Sequence, residues 1–208
     1  MPWCELSNRK RKRLSFWIEL PILIVFALVL ALLVRTFLVQ TFYIPSGSME
    51  HTLEINDKVL VNKLIYDFRA PERGEIIVFQ PPPSWDAPPN EQEFIKRVIG
   101  TPGDKVVCCN AAGKVTVNGY VLTEPYLYAG NVPSSMPFSI EVPAGRLFVL
   151  GDHREVSGDS RYHLTDQSGT IPIKSVEGRA FAIYWPISRW APLSVPAIFD
   201  GVPAAPRS

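Results

Sequence analysis

Histidine and cysteine are scarce in this chain, three of each in 208 residues. His51, His153 and His163 are scattered, and the cysteines stand at 4, 108 and 109. No metal-ligand spacing is present among them, so neither a metal nor another cofactor is expected. A bridge between the neighbours Cys108 and Cys109 is strained, so no disulfide framework is expected. The shortage of histidine also weighs against a serine triad. His51 is three residues from Ser48, His163 follows a tyrosine in a loop, and ion pairing accounts for His153 between Asp152 and Arg154. Excess charge is missing too. The net charge is +1, and Arg9, Lys10, Arg11, Lys12 and Arg13 supply a local basic cluster that leaves the remainder slightly acidic. A nucleic-acid surface is therefore not expected. No internal repeat is visible.

Proline and glycine are plentiful, twenty and thirteen, which favours loops and short strands over long helices. The exception runs from Leu14 to Val34, "LSFWIELPILIVFALVLALLV", with Glu19 its one charge. At ~1.5 Å per residue it spans roughly 31 Å, about the thickness of a bilayer's hydrocarbon core. A cleaved leader has a shorter apolar region and a small-x-small site; here Arg35, Thr36, Phe37 and Leu38 follow instead. The run reads as an uncleaved transmembrane helix over 14–35. The basic residues before it hold a cytoplasmic tail, 1–13, inside the cell and place the rest outside.

After the helix come β-branched and aromatic runs: "TFLVQTFYI" (36–44), "DKVLVNKLIY" (57–66), "RGEIIVFQPP" (73–82), "EFIKRVIGTPGD" (93–104), "GRLFVLGDHREVSGDSR" (145–161) and "VEGRAFAIYW" (176–185). Each reads as a strand bounded by turn residues. Small hairpins are expected within 105–145, around Asn110–Gly113 and Asn118–Gly119. The expected fold is mainly β: a single N-terminal transmembrane helix, then an antiparallel β domain (36–104 and 146–186) with a small inserted β lobe (105–145). A Pro-rich and loose tail, 187–208, closes the chain.

The chemistry centres on "IPSGSMEHTL" (44–53). Two serines frame a glycine in a turn that suits a nucleophile as well as it suits a polar loop. With no histidine placed to act as base, lysine is the other candidate. Its reference pKa of ~10.4 makes it useless as a base at neutral pH unless apolar burial disfavours the charged form. In "EFIKRVIG", period-two alternation puts Lys96 between Phe94 and Val98 on one strand face. The alternation equally allows an edge strand with Lys96 exposed.

"IPSGSMEHTL", "DKVLVNK", "RGEIIVF", "FIKRVIGTPGD" and "GDHREVSGDSR" occur in that order after the anchor. Together they resemble the bacterial type I signal peptidases, peptidase family S26, and their actinobacterial branch most. These are membrane-bound Ser/Lys endopeptidases that remove signal peptides after Ala-x-Ala. The resemblance implies Ser48 as nucleophile and Lys96 as general base. It implies that the Ser46 hydroxyl and the Ser48 N–H receive the oxyanion, and that Ser157 orients the Lys96 amine. Asp159 and Arg161 would hold the loop by an ion pair, with Asp152 and Arg154 assisting. Phe42, Ile44, Met49, Leu53, Val78, Phe94 and Ile95 would line the substrate pockets. The implied partners are preproteins, the lipid bilayer and the secretion translocon, with no nucleic acid. The implied location is the plasma membrane, with the catalytic domain extracytoplasmic. The family usually has proline at His51, glycine at Asn56, leucine at Thr101 and asparagine at His153. "YHLTDQSGTIP" (162–172) replaces a shorter stretch, and a proline lost at 51 would loosen the turn that positions Ser48. Two other functions fit the same motifs: a non-catalytic membrane-tethered peptide-binding β module, and a self-cleaving Ser/Lys protein.

Overall fold

Runs of Val, Ile and Phe broken by Gly and Pro favour short pleated strands over helices. In the computed structural model, which describes residues 16–33, 39–87 and 92–205, they form two antiparallel sheets. The first contains β1 (Val39–Tyr43), β2 (Lys58–Asn62), β3 (Ile76–Phe79), β4 (Phe94–Gly100), β9 (Arg146–Leu150), β10 (Ile171–Pro172), β11 (Val176–Trp185) and β12 (Ala191–Pro192). Their order is β1-β2-β11-β3-β4-β9-β10, with β12 added to β11. The second sheet has the order β7-β6-β5-β8, from β5 (Lys105–Cys108), β6 (Thr116–Val117), β7 (Tyr120–Val121) and β8 (Phe138–Glu141).

At β3, β4 and β9 the first sheet is buried on both faces, which explains why β3 reads as an unbroken apolar run. Ile76 and Val78 join Ile44, Met49, Leu53, Val59 and Ile95 on one side. Ile77 and Phe79 join Trp85, Val98, Leu147 and Val149 on the other. Register shifts in β11, opposite both β2 and β3, and in β4 opposite β9 mark bulges that bend the sheet. A third core, around Ile99, Val106, Val117, Phe138 and Phe148, joins the two sheets. At this junction a β-carbon on Gly100 would lie 2.7 Å from Val106, so only glycine lets the sheets approach.

Helix α1 (Phe16–Leu33) has 18 residues, and its side chains from Ile18 to Val29 are exposed. Among the described residues no helix is long and apolar enough to cross a membrane. The expected span, 14–35, runs past α1 at both ends into residues outside the described set. Cys108 and Cys109 are bonded to each other, a single bridge between neighbours and not a framework. Because the partners are neighbours, the bond closes no loop that could constrain the unfolded chain.

The segment after Pro186 is not loose. Phe199 and Val202 are 6% and 8% exposed and belong to the core between the sheets. Phe199 stacks on Tyr126 with ring centroids 6.1 Å apart. Asp104 fastens the same region: Arg73 donates to it at 2.6 Å and Asn118 at 2.9 Å, and Asn118 also donates to the Pro203 carbonyl. Burial alone would raise the Asp104 pKa; the hydrogen bonds from Arg73, Thr101 and Asn118 outweigh it and hold the carboxyl below its usual range. Prolines limit the pairing of this segment to the two residues of β12 on β11; the rest packs against the sheets. Phe199→Ala should lower stability by ~3–5 kcal/mol. A urea midpoint unchanged from wild type would show that the C-terminal segment carries none of the core.

Candidate active site

The Pro-Ser-Gly-Ser stretch leaves β1 in extended conformation and closes into a single 3-10 turn, Gly47–Met49. Met49 and Leu53 are fully buried and pin the turn to the sheet. They sit beneath the groove rather than lining it, which corrects the expectation that they form pocket walls. Ser48 and Lys96 are both buried, at 6% and 4% exposure. Lys96 Nζ donates to Ser48 Oγ at 2.8 Å and to its neighbour's carbonyl, Ile95 O, at 3.1 Å. The Phe94 ring centroid lies 5.2 Å from the amine. Of the two placements the alternation allowed, the buried one is found. Strand β4 pairs with β9 from Arg97 onward, whereas Phe94–Lys96 run past the end of β9 and pair with β3 alone.

A groove of about 350 Å³ opens beside this pair. Phe42, Ile44, Val78, Phe94 and Ile95 line it, together with Ser46, Ser48 and Lys96. Trp85 and His163 also line it, stacked 4.5 Å apart, and join the "PPPSWD" stretch after β3 (81–86) to the loop after Arg161. The 162–172 segment thus forms part of the groove wall. Ser46 Oγ lies 3.5 Å from Ser48 Oγ. Among the described residues no group of His, Cys, Asp and Glu could hold a metal ion.

The third contributor is the loop after β9. Gly151 passes so close to the turn that a β-carbon would fall 2.4 Å from Ser48 O and 2.2 Å from Ser157 Oγ. Ser157 Oγ is buried and makes no hydrogen bond, so the expected contact to Lys96 is not formed; the side chain lies over Gly151 instead. Arg161 Nε donates to Asp159 Oδ1 at 2.8 Å, and Asp159 in turn accepts from Gly151 N at 3.0 Å. Asp152 and Arg154 do not pair with each other; Arg154 meets the ion pair through its carbonyl, which accepts from Arg161 Nη2 at 2.7 Å. Asp152 takes Arg97 at 2.6 Å, and Arg154 takes Glu124 at 2.5 Å, each pair almost fully buried. Burial by itself would lower the Arg97 pKa, but Asp152 holds it above the ordinary value.

Sequence reasoning missed Arg97, Thr52, Glu50 and Glu124. Thr52 Oγ1 donates to Asp152 Oδ2 at 2.5 Å, which ties the serine turn to the Arg97–Asp152 pair. Only an unexplained arginine between Ile95 and Ile99 hinted at such a partner. His51 does not loosen the turn. Its φ of 82° is a conformation closed to proline, and its Nδ1 lies 3.1 Å from Tyr126 O. Asn56 also has positive φ, 74°, which asparagine tolerates.

Residues 17–185 match the family model described as signal peptidase, peptidase S26. The chain belongs to this family of serine endopeptidases. The probable signal peptidase I-2 of Synechocystis sp. is 41% identical over 192 residues, covering 92% of this chain and 84% of that one. The probable signal peptidase I of Mycobacterium leprae is 36% identical, covering 88% and 81%. The signal peptidase I of Leptolyngbya laminosa is 41% identical, covering 82% and 80%.

The buried Arg97–Asp152 pair is the structural support most exposed to mutation. Asp152→Ala leaves an uncompensated guanidinium and should cost ~3–5 kcal/mol. Chemical denaturation checks this; a loss below ~1 kcal/mol would mean that water reaches the site and takes the carboxylate's place.

Proposed function

We propose that this chain is a signal peptidase I that uses Ser48 as nucleophile and Lys96 as general base on membrane-inserted preproteins. The observation that carries the reading is the 2.8 Å contact between Lys96 Nζ and Ser48 Oγ, with both residues buried. A base must be a neutral amine, and surroundings such as Phe94 and Ile95 withhold the hydration that an ammonium needs. Lys96 takes the Ser48 proton as Oγ attacks the scissile carbonyl. The oxyanion is received by the Ser46 hydroxyl and the Ser48 N–H. The Lys96 ammonium then returns the proton to the leaving amine. The freed amine activates the water that releases the acyl group.

The groove suits an extended peptide. The uncovered edge of β4 at Phe94–Lys96 faces the chain from Phe42 to Ser46 across it. A strand laid between them gains main-chain hydrogen bonds, and alternate side chains enter apolar pockets. Pockets bounded by Ile44, Val78, Phe94 and Ile95 favour small aliphatic residues, which agrees with cleavage after Ala-x-Ala. Ser157 orients Lys96 after a side-chain rotation away from Gly151.

The helix over 14–35 anchors the enzyme with its N-terminus in the cytoplasm and the β domain (36–104 and 146–186) outside, beside the translocon; 105–145 is an inserted lobe. Exposed Trp185, Ile187 and Trp190 support contact with lipid, since Trp favours the membrane interface. Tyr43, also exposed, lies in one row with Lys58 and Trp185 across β1, β2 and β11.

A binding-only module has no use for a buried amine on a serine hydroxyl, and a self-cleaving protein would cut its own chain. Detergent-solubilised enzyme and a labelled preprotein separate these readings. Lys96→Ala should reduce cleavage by ~10⁴ or more while the variant stays folded. Appreciable cutting by that variant would remove lysine from the mechanism. Because the base acts when deprotonated, the rate should rise with pH along one titration and then level. A rate flat from acid to mildly alkaline pH would rule out a titrating amine.

A further inference from the structure

The Ser48 turn has a second tie to the loop after β9, and one residue makes both halves of it. The main-chain N–H of His153 donates to the Ser48 carbonyl at 3.1 Å. The His153 side chain places Nδ1 2.8 Å from Glu50 Oε2. An ionised carboxylate only accepts, so Nδ1 carries the proton in this contact. The imidazole is fixed from its flat side by Tyr128, with ring centroids 3.9 Å apart and planes 11° from parallel. Glu50 in turn braces the residue before the nucleophile: a β-carbon on Gly47 would lie 2.9 Å from its carboxyl carbon. Both side chains are sheltered, at 12% and 23% exposure.

The neighbouring charges are engaged elsewhere. Asp152 is taken by Arg97 and Arg154 by Glu124, while His51 lies against the Tyr126 carbonyl. Glu50 is the carboxylate that His153 meets. The turn is therefore gripped at Gly47, Ser48 and Glu50 by a single unit.

We propose that His153 is a positioning residue for Ser48. Its hydrogen bond to Glu50 sets the turn so that Ser48 Oγ stays within reach of Lys96 Nζ. The inference rests on the peptidase reading, and it concerns a side chain that takes no proton in the reaction.

The test uses the full chain in detergent with His153→Ala, Glu50→Ala, the double variant and His153→Asn. Each alanine variant should lose about tenfold in kcat, the worth of one hydrogen bond, with KM changed less than ~twofold. The double variant should be no worse than either single one, because both remove the same contact. His153→Asn, whose amide can still donate to Glu50, should recover most of kcat. In Glu50→Ala the His153 amide should exchange its hydrogen about tenfold faster, while the buried amide of Val98 keeps its protection. Additive losses, no recovery with asparagine, or unchanged exchange at His153 would each overturn the proposal. Wild type that leaves preproteins uncut would overturn the peptidase reading instead, and the exchange rates would still decide whether Glu50 holds the turn.

Discussion

The buried ion pair between Arg97 and Asp152 is the interaction on which the site depends. Arg97 sits next to Lys96 on β4, and Asp152 sits next to Gly151 at the end of β9. Their contact at 2.6 Å fixes the strand that carries the amine against the loop that carries Ser157. Thr52 brings the serine turn to the same carboxylate. Arg97 also donates to Gly74 O at 2.8 Å and lies over the Tyr126 ring at 4.2 Å, so its position is set from three sides. A charge this deeply buried is tolerated only with its hydrogen bonds complete. Geometry at Ser48 and Lys96 is thereby coupled to correct folding of three separate segments.

Around that pair the sheet leaves a strand edge open without exposing its core. At β3, β4 and β9 both faces of the first sheet are covered, so the backbone left open there is where strands run out. Strand β9 ends before it reaches Phe94–Lys96, and β1 ends just before Pro45. The groove lies between those ends. Its apolar lining continues the core, which is why the lysine can be buried and still face the groove. The second sheet and the C-terminal segment brace the far side through Phe199 and Asp104.

Much of this was legible in the chain. Strand-forming runs mark β1 to β4, β9 and β11, and the alternation in "FIKRV" assigns Lys96 to the face of Phe94 and Val98. The motifs fix the family. The partners of the charged residues were not legible. Asp152 and Arg154 are two residues apart and look like a local pair, yet their partners stand 55 and 30 residues away. Glu50 and His153 are 103 apart. No local period reports contacts of that range. The Pro-rich end misled for a related reason: prolines keep its sheet pairing to the two residues of β12, and nothing local reveals that Phe199 and Val202 fill a gap between sheets.

By itself the sequence determined the residue types, their order and the local periods: an apolar helix first, short strands after it, a serine turn, and a lysine on an apolar strand face. Those properties depend on neighbours within a few positions, where sterics and side-chain alternation act. Tertiary structure alone decided that Lys96 meets Ser48, that Ser157 turns toward Gly151, and that Arg97 rather than Arg154 receives Asp152. Each of these requires segments far apart in the chain to approach within hydrogen-bond distance. Only packing of the whole sheet, with every buried charge matched, brings that about.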